Sequence, residues 1–231
     1  MINTTIDFRG TKVMGYLSEP DPDTYATPKG GMIVIQEWWG LTPDIKEIAD
    51  RYAVEGYLAF APDMYHGQVA SEPDEARKFV MALERDLAAR EIDTAIAWLK
   101  VERGVRKVGC VGYCMGGGLA LATAIRPTSN VDAVHVYYGG GMPPAEQIAT
   151  IKVPVLGSYG ADDEGIPKAQ VDMLRSTLEK AGVPNDITLY EGAPHAFFND
   201  GRPSYREAAA LDSWMKSMAW FGRYLAGEGA K

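Results

Sequence analysis

Cys114 sits in the run Gly112-Tyr113-Cys114-Met115-Gly116, which has the form Gly-x-nucleophile-x-Gly. A nucleophile presented for attack must stand on a sharp turn, and small flanking residues keep that turn free of clashes. The segment before it, Val108 to Gly112, is apolar and reads as a strand. Met115 to Ile125 reads as a helix stopped by Pro127. The cysteine therefore lies at a strand-to-helix junction, where the positive end of the helix dipole favours a thiolate. The peptide N–H of Met115 is placed to meet a developing oxyanion. The other cysteine, Cys110, falls inside the strand and reads as a small core residue.

A thiol nucleophile needs a base, and a base needs an orienting acid. His135 lies within the apolar stretch Val131 to Tyr138 and points into packing. His195 follows the stretch Ile187 to Tyr190 in the loop Glu191-Gly192-Ala193-Pro194-His195, the exposed position a base requires. The acid is expected after the strand Val153 to Tyr159, where Ala161-Asp162-Asp163-Glu164 offers three carboxylates. Spacing to Ile166-Pro167 favours Asp163, with Asp162 as the alternative. The order nucleophile, acid, histidine is that of the α/β-hydrolases. Glu37, after the first buried strand, is unexpected near an oxyanion. It reads either as a proton acceptor for the thiol or as a solvated turn residue beside Trp38 and Trp39.

The elements that must position these groups follow from patterning. Thr4 to Leu17 alternates and breaks at Arg9-Gly10, as a hairpin does, and Ser18 to Gly31 reads as a loop. Met32 to Ile35 and Tyr57 to Ala61 are short apolar strands. Between them Thr42 and Pro43 open a helix carrying Ile45, Ile48, Ala49 and Tyr52, which Gly56 ends. Helices are expected from about Glu75 to Ala89, through Ile92, Ala95, Ile96 and Leu99, and through Val171, Leu174 and Leu178. A last helix is expected with Leu211, Trp214, Met218, Phe221 and Leu225 as its buried stripe. Strands alternating with helices predict one domain over residues 1–231, an α/β-hydrolase fold with a mainly parallel central sheet and helices on both faces. Ligands of such sheets bind beyond the carboxyl ends of the strands, where Cys114, Asp163 and His195 all fall.

The chain has 231 residues, is 46% hydrophobic and 23% charged, and carries a net charge of −8. That apolar content supports a packed core, and the acidity argues against nucleic acid or anionic membranes as partners. Two cysteines four residues apart form neither a disulfide framework nor a metal or redox pair. No apolar run is long enough to span a bilayer, and the N-terminus lacks a signal-peptide pattern. A cytoplasmic, monomeric enzyme without metal or cofactor is expected.

The motifs together resemble the dienelactone hydrolase (carboxymethylenebutenolidase) family. They are Gln36-Glu37-Trp38-Trp39-Gly40, Ala61-Pro62-Asp63-Met64-Tyr65, Gly112-Tyr113-Cys114-Met115-Gly116-Gly117, Asp163 with Gly165-Ile166-Pro167, and His195-Ala196-Phe197. The resemblance implies a resting thiol turned toward Glu37 and away from His195. Substrate would let Glu37 take the proton, and the thiolate would swing to His195. The N–H groups of Trp38 and Met115 would hold the oxyanion, a thioester would form, and water would clear it. The substrate would be a small ester or lactone. Two family arginines, which bind the substrate carboxylate and tether the glutamate, are replaced here by Gly67 and Asn199. Arg202 and His66 are candidates to take their place. Trp39, Tyr65, Tyr138 and Phe197, with Trp38 and Phe198, suggest an aromatic, apolar binding pocket. A broad short-chain carboxylesterase, or a non-catalytic ligand-binding or thiol-sensing protein, are the competing expectations.

Overall fold

The computed structural model describes residues 2–226. An N-terminal hairpin, β1 (Ile2–Phe8) and β2 (Thr11–Ser18), turns at Arg9 and Gly10, both with positive φ. The chain continues through β3 (Gly30–Ile35), α1 (Pro43–Val54), β4 (Tyr57–Pro62), α2 (Pro73–Ala82) and α3 (Arg85–Val101). Then follow β5 (Val108–Tyr113), α4 (Met115–Ile125), β6 (Ala133–Tyr137) and α5 (Ala145–Ile148). β7 (Val155–Gly160), α6 (Lys168–Lys180), β8 (Asn185–Tyr190) and α7 (Glu207–Tyr224) complete it. The eight strands form one sheet in the order β1-β2-β4-β3-β5-β6-β7-β8, antiparallel only at β1-β2 and β2-β4.

The five strands from β4 to β7 across the middle are buried at every position. Parallel strands need crossover helices, and those helices cover both faces, so continuous apolar runs are what this sheet requires. Adjacent residues of β3 show the two layers. The Cα of Gly30 faces Leu225, just past α7, and that of Gly31 faces Leu99 of α3. On the α7 side, Tyr52 of α1 packs its ring against Trp214 and Phe221, at 4.8 and 6.1 Å between centroids. The architecture is that of an α/β-hydrolase.

Three details depart from the patterning. The helix expected from Glu75 to Ala89 breaks at Leu83 and Glu84, both extended, so that α3 can seat Ala88, Ile92, Ala95, Ile96 and Leu99 on the sheet. In α7 the buried face is Ala210, Ser213, Ser217 and Phe221, while Leu211 is 52% exposed. Small serines win that face because the helix lies close to the sheet. The four residues of α5 are too few to show a period.

His135 explains the serines. It is fully buried, with Nδ1 3.0 Å from Ser217 Oγ and Nε2 2.9 Å from Ser158 Oγ, and Ser217 also meets Tyr52 Oη at 2.8 Å. Both ring nitrogens are thus occupied: Nδ1 tethers α7 to the sheet, and Nε2 binds the neighbouring strand β7. Burial, helped by nearby Lys216, pushes its pKa well below the ordinary 6.5. The native state therefore keeps His135 neutral where the unfolded chain takes up a proton. Stability is unaffected above about pH 6.5 and is lost as pH falls below it. Between pH 7.5 and 5.5 this one group should cost the wild type about 1.4 kcal/mol. Denaturant titrations should show that loss reduced by this amount in His135→Gln; identical losses would assign it to other groups.

Candidate active site

β5 ends at Tyr113, and the chain turns at Cys114 with φ 55° and ψ −114°. That conformation is costly for any residue with a Cβ, on the order of 1–3 kcal/mol, and persists only where the surroundings enforce it. Here they do. A Cβ on Gly112 would stand 1.9 Å from Gly116 O, and one on Gly116 would stand 2.5 Å from both Gln36 O and Ile35 O. β5, α4 and the end of β3 therefore close on one another only because these positions have no side chain. The Cys114 N–H donates to Tyr137 O at 3.1 Å, which fixes the turn to β6. Cys110 is fully buried in β5, and burial pushes its thiol pKa up.

His195 lies in the loop after β8 and is 39% exposed at its side chain. Its Nδ1 is 2.6 Å from Asp163 Oδ2. Asp163 is buried, and its other oxygen accepts the Gly165 N–H at 2.8 Å. Asp162 is exposed and turned away, its N–H spent on Ala193 O. Burial works against a charge on His195. The hydrogen bonds to Asp163 and Cys114, with their electrostatic attraction, outweigh it and raise the pKa to about 10. Cys114 and His195 line the same pocket.

Glu37 is 6% exposed, so it is no solvated turn residue. Tyr138 Oη donates to its Oε1 and Asn199 Nδ2 to its Oε2, both at 3.4 Å. Asn199 also donates to Asp44 Oδ2 at 3.3 Å. Burial raises the Glu37 pKa, and Asn199, His195, Arg202 and Tyr138 recover part of the shift.

A pocket of about 190 Å³ opens over these groups, lined by Glu37, Trp38, Trp39, Cys114, His195, Ala196, Arg202 and Ser204. The Arg202 guanidinium stacks over the Trp39 ring at 4.4 Å. His66 is elsewhere, 2.7 Å from Glu91 of α3, so of the two candidate cations only Arg202 faces the pocket. The Trp38 N–H has no hydrogen-bond partner among the described residues. The Met115 N–H lies in the first turn of α4, where a helix has no internal acceptor to offer. Three expected pocket residues stand behind its wall instead. Phe197 is fully buried against Tyr137, Tyr138 and Tyr190. Tyr138 is also fully buried, edge-on to His195, and Tyr65 is 5% exposed. The loops after β4, β6 and β8 turn these side chains inward, and the wall is more polar than the aromatic content suggested. Ser204 was missed as lining because its loop has no periodicity to orient it, whereas Arg202 was a candidate from the sequence.

The sequence profile of the Dienelactone hydrolase family matches residues 13–225. The chain belongs to the dienelactone hydrolase family. It is thereby a hydrolase of the carboxylic-ester class. It is 36% identical to "Protein usf" of Aquifex pyrophilus over 230 residues, covering 94% of this chain and 95% of that one. It is 35% identical to a "Putative carboxymethylenebutenolidase" of Aquifex aeolicus over 227 residues, with the same coverage. The crystal structure described as "Putative Dienelactone Hydrolase" from Klebsiella pneumoniae superimposes with a TM-score of 0.85 at 30% identity, covering 96% and 98% of the two chains. No helix among the described residues is long and apolar enough to cross a membrane.

The Asp163–His195 pair makes a direct prediction. Asp163→Asn removes the charge that holds the imidazolium, so the His195 pKa should fall from about 10 toward the ordinary 6.5. An NMR titration of the imidazole ring in both proteins measures it, and an unmoved midpoint would remove Asp163 as the stabilising group.

Proposed function

We propose that the chain hydrolyses small esters or lactones through a Cys114–His195–Asp163 triad and a thioester acyl-enzyme. The observation that carries this reading is the strained Cys114 turn, which shares a pocket with an imidazole locked by Asp163 at 2.6 Å.

The chemistry follows from the charges. The thiolate is the reactive form of a thiol, and the imidazolium favoured at His195 supplies the counter-charge for its attack. The thiolate adds to the substrate carbonyl, and the oxygen that gains the electron pair is met by the N–H groups of Trp38 and Met115. As the tetrahedral centre collapses, the C–O bond to the leaving group breaks and His195 gives that oxygen its proton. The neutral His195 then takes a proton from water as the water attacks the thioester. Collapse of the second tetrahedral centre releases the carboxylic acid and restores the thiolate–imidazolium pair. Asp163 holds the ring throughout and stabilises its charge.

Glu37 fits this scheme as a neutral group. A carboxylate beside the oxyanion would repel it, and burial favours the protonated form that does not. The pocket of about 190 Å³ suits a small acyl group. Arg202 and the His195 imidazolium are its lining cations, so a substrate carrying a negative charge is favoured over a neutral one of the same size.

Two experiments test the reading. Wild type incubated with p-nitrophenyl acetate should gain one acyl group at Cys114 in intact mass, and Cys114→Ala should lose activity by several orders of magnitude. Hydrolysis that persists in Cys114→Ala would refute the triad. Glu37→Gln keeps a neutral hydrogen-bonding group and should retain kcat within about tenfold, whereas an essential proton carrier would cost about 10²–10⁴-fold.

A further inference from the structure

The two N–H groups assigned to the oxyanion belong to separate stretches of chain. Trp38 follows β3, and Met115 opens α4. Strands β3 and β5 stay in register to Ile35 and Gly112. Beyond that point no backbone hydrogen bond among the described residues joins the segment 36–40 to the segment 113–118. Catalysis by such donors depends on their being fixed before charge develops. The packing of Gly116 on Ile35 and Gln36 brings the two segments together, but a directional tie is needed to fix the separation of the two donors.

One side chain touches both. Tyr65 Oη donates to Trp38 O at 3.2 Å and lies 3.2 Å from Met115 Sδ, where it also has donor geometry. We propose that Tyr65 is the positioning residue of the oxyanion hole, its hydroxyl acting as a strut between the Trp38 and Met115 segments. The proposal rests on the reading of Cys114 as nucleophile.

The residue is built to be rigid. Its own N–H is held by Asp63 Oδ1 at 3.1 Å, and the second Asp63 oxygen takes the Gly67 N–H at 2.6 Å. The preceding N–H, of Met64, goes to Gln36 Oε1 at 3.1 Å, which ties the same loop to the end of β3. The Tyr65 ring rests edge-on against Phe79 at 5.2 Å between centroids. Backbone and ring are thus fixed independently of the hydroxyl, so the hydroxyl serves the two segments it reaches. Burial, with Cys114 close by, raises the Tyr65 pKa, and the strut keeps its proton. Tyr65 does not line the pocket, so its contribution passes through Trp38 and Met115 and not through substrate contact.

Tyr65→Phe keeps the ring and removes the strut. With p-nitrophenyl acetate it should lower kcat about 10–100-fold, less than outright loss of an oxyanion donor, with KM within about twofold. Alkylation of Cys114 by iodoacetamide passes through no oxyanion, since the thiolate displaces iodide at a saturated carbon. Its rate should stay within about twofold of wild type, a result that general loosening of the site would not give. Met115→Leu keeps the peptide N–H and removes the sulfur contact, and it should show a smaller drop with the same selectivity. Wild-type turnover in Tyr65→Phe, or equal losses in acylation and alkylation, would overturn the strut. If wild type itself gains no acyl group and Cys114→Ala turns over the ester equally well, the nucleophile reading fails, and the strut with it. The two failures are therefore distinguishable.

Discussion

The backbone at Cys114 is held where a residue with a Cβ does not rest, and everything functional in this chain is arranged around that constraint. A residue at φ 55° and ψ −114° is stable only if relaxing it would create worse contacts. Those contacts are the close approaches of Gly112 to Gly116 and of Gly116 to the carbonyls of Ile35 and Gln36. The same approaches bring the start of α4 against the end of β3. The turn that exposes the sulfur thereby also sets Met115 near Trp38. Strain at one residue, compensated by glycines at two others, sets both the proposed nucleophile and the surroundings of its proposed oxyanion.

The polar groups behind the site divide by how their charge is met. His195 has Asp163 on one nitrogen and Cys114 near the ring, so attraction overcomes burial and the imidazolium is favoured. His135 has only serine hydroxyls, so burial dominates and it stays neutral. Two histidines in one fold thus take opposite roles. One is a charge carrier at the sheet edge, and the other is a neutral tether between sheet and α7. The difference lies in their partners, not in the residue type.

Much of this was legible from residue order. Each strand end is marked by a short apolar run, so Cys114, Asp163 and His195 could be placed at one sheet edge before any coordinates. Glu37 could be placed too, but not its state, because that depends on burial and on Tyr138 and the distant loop carrying His195, Asn199 and Arg202. Side-chain direction in loops was not legible. Phe197 and Tyr138 look like pocket walls by type, yet both are swallowed by the tyrosine-rich core beside β6. Tyr65 looks like a substrate contact and instead turns its hydroxyl under the oxyanion segment. The break at Leu83 and Glu84 was hidden because helix-forming residues run on both sides of it. In each case a local pattern was overruled by a long-range contact.

Those long-range contacts also explain how the chain accommodates its departures from the family pattern. A guanidinium at position 199 would hold Glu37 ionised by direct charge pairing. Asn199 reaches Glu37 with an amide, which supplies a hydrogen bond and no charge, and shares that amide with Asp44. The remaining cations, His195 and Arg202, attract the carboxylate, but burial acts more strongly. The cation lost at positions 67 and 199 reappears at Arg202, stacked on Trp39 and facing the pocket. Positive charge has moved from the glutamate's tether to the pocket wall. This arrangement keeps a cation facing the pocket, while burial moves Glu37 toward its protonated form, the form that least opposes the negative charge proposed to develop beside Cys114.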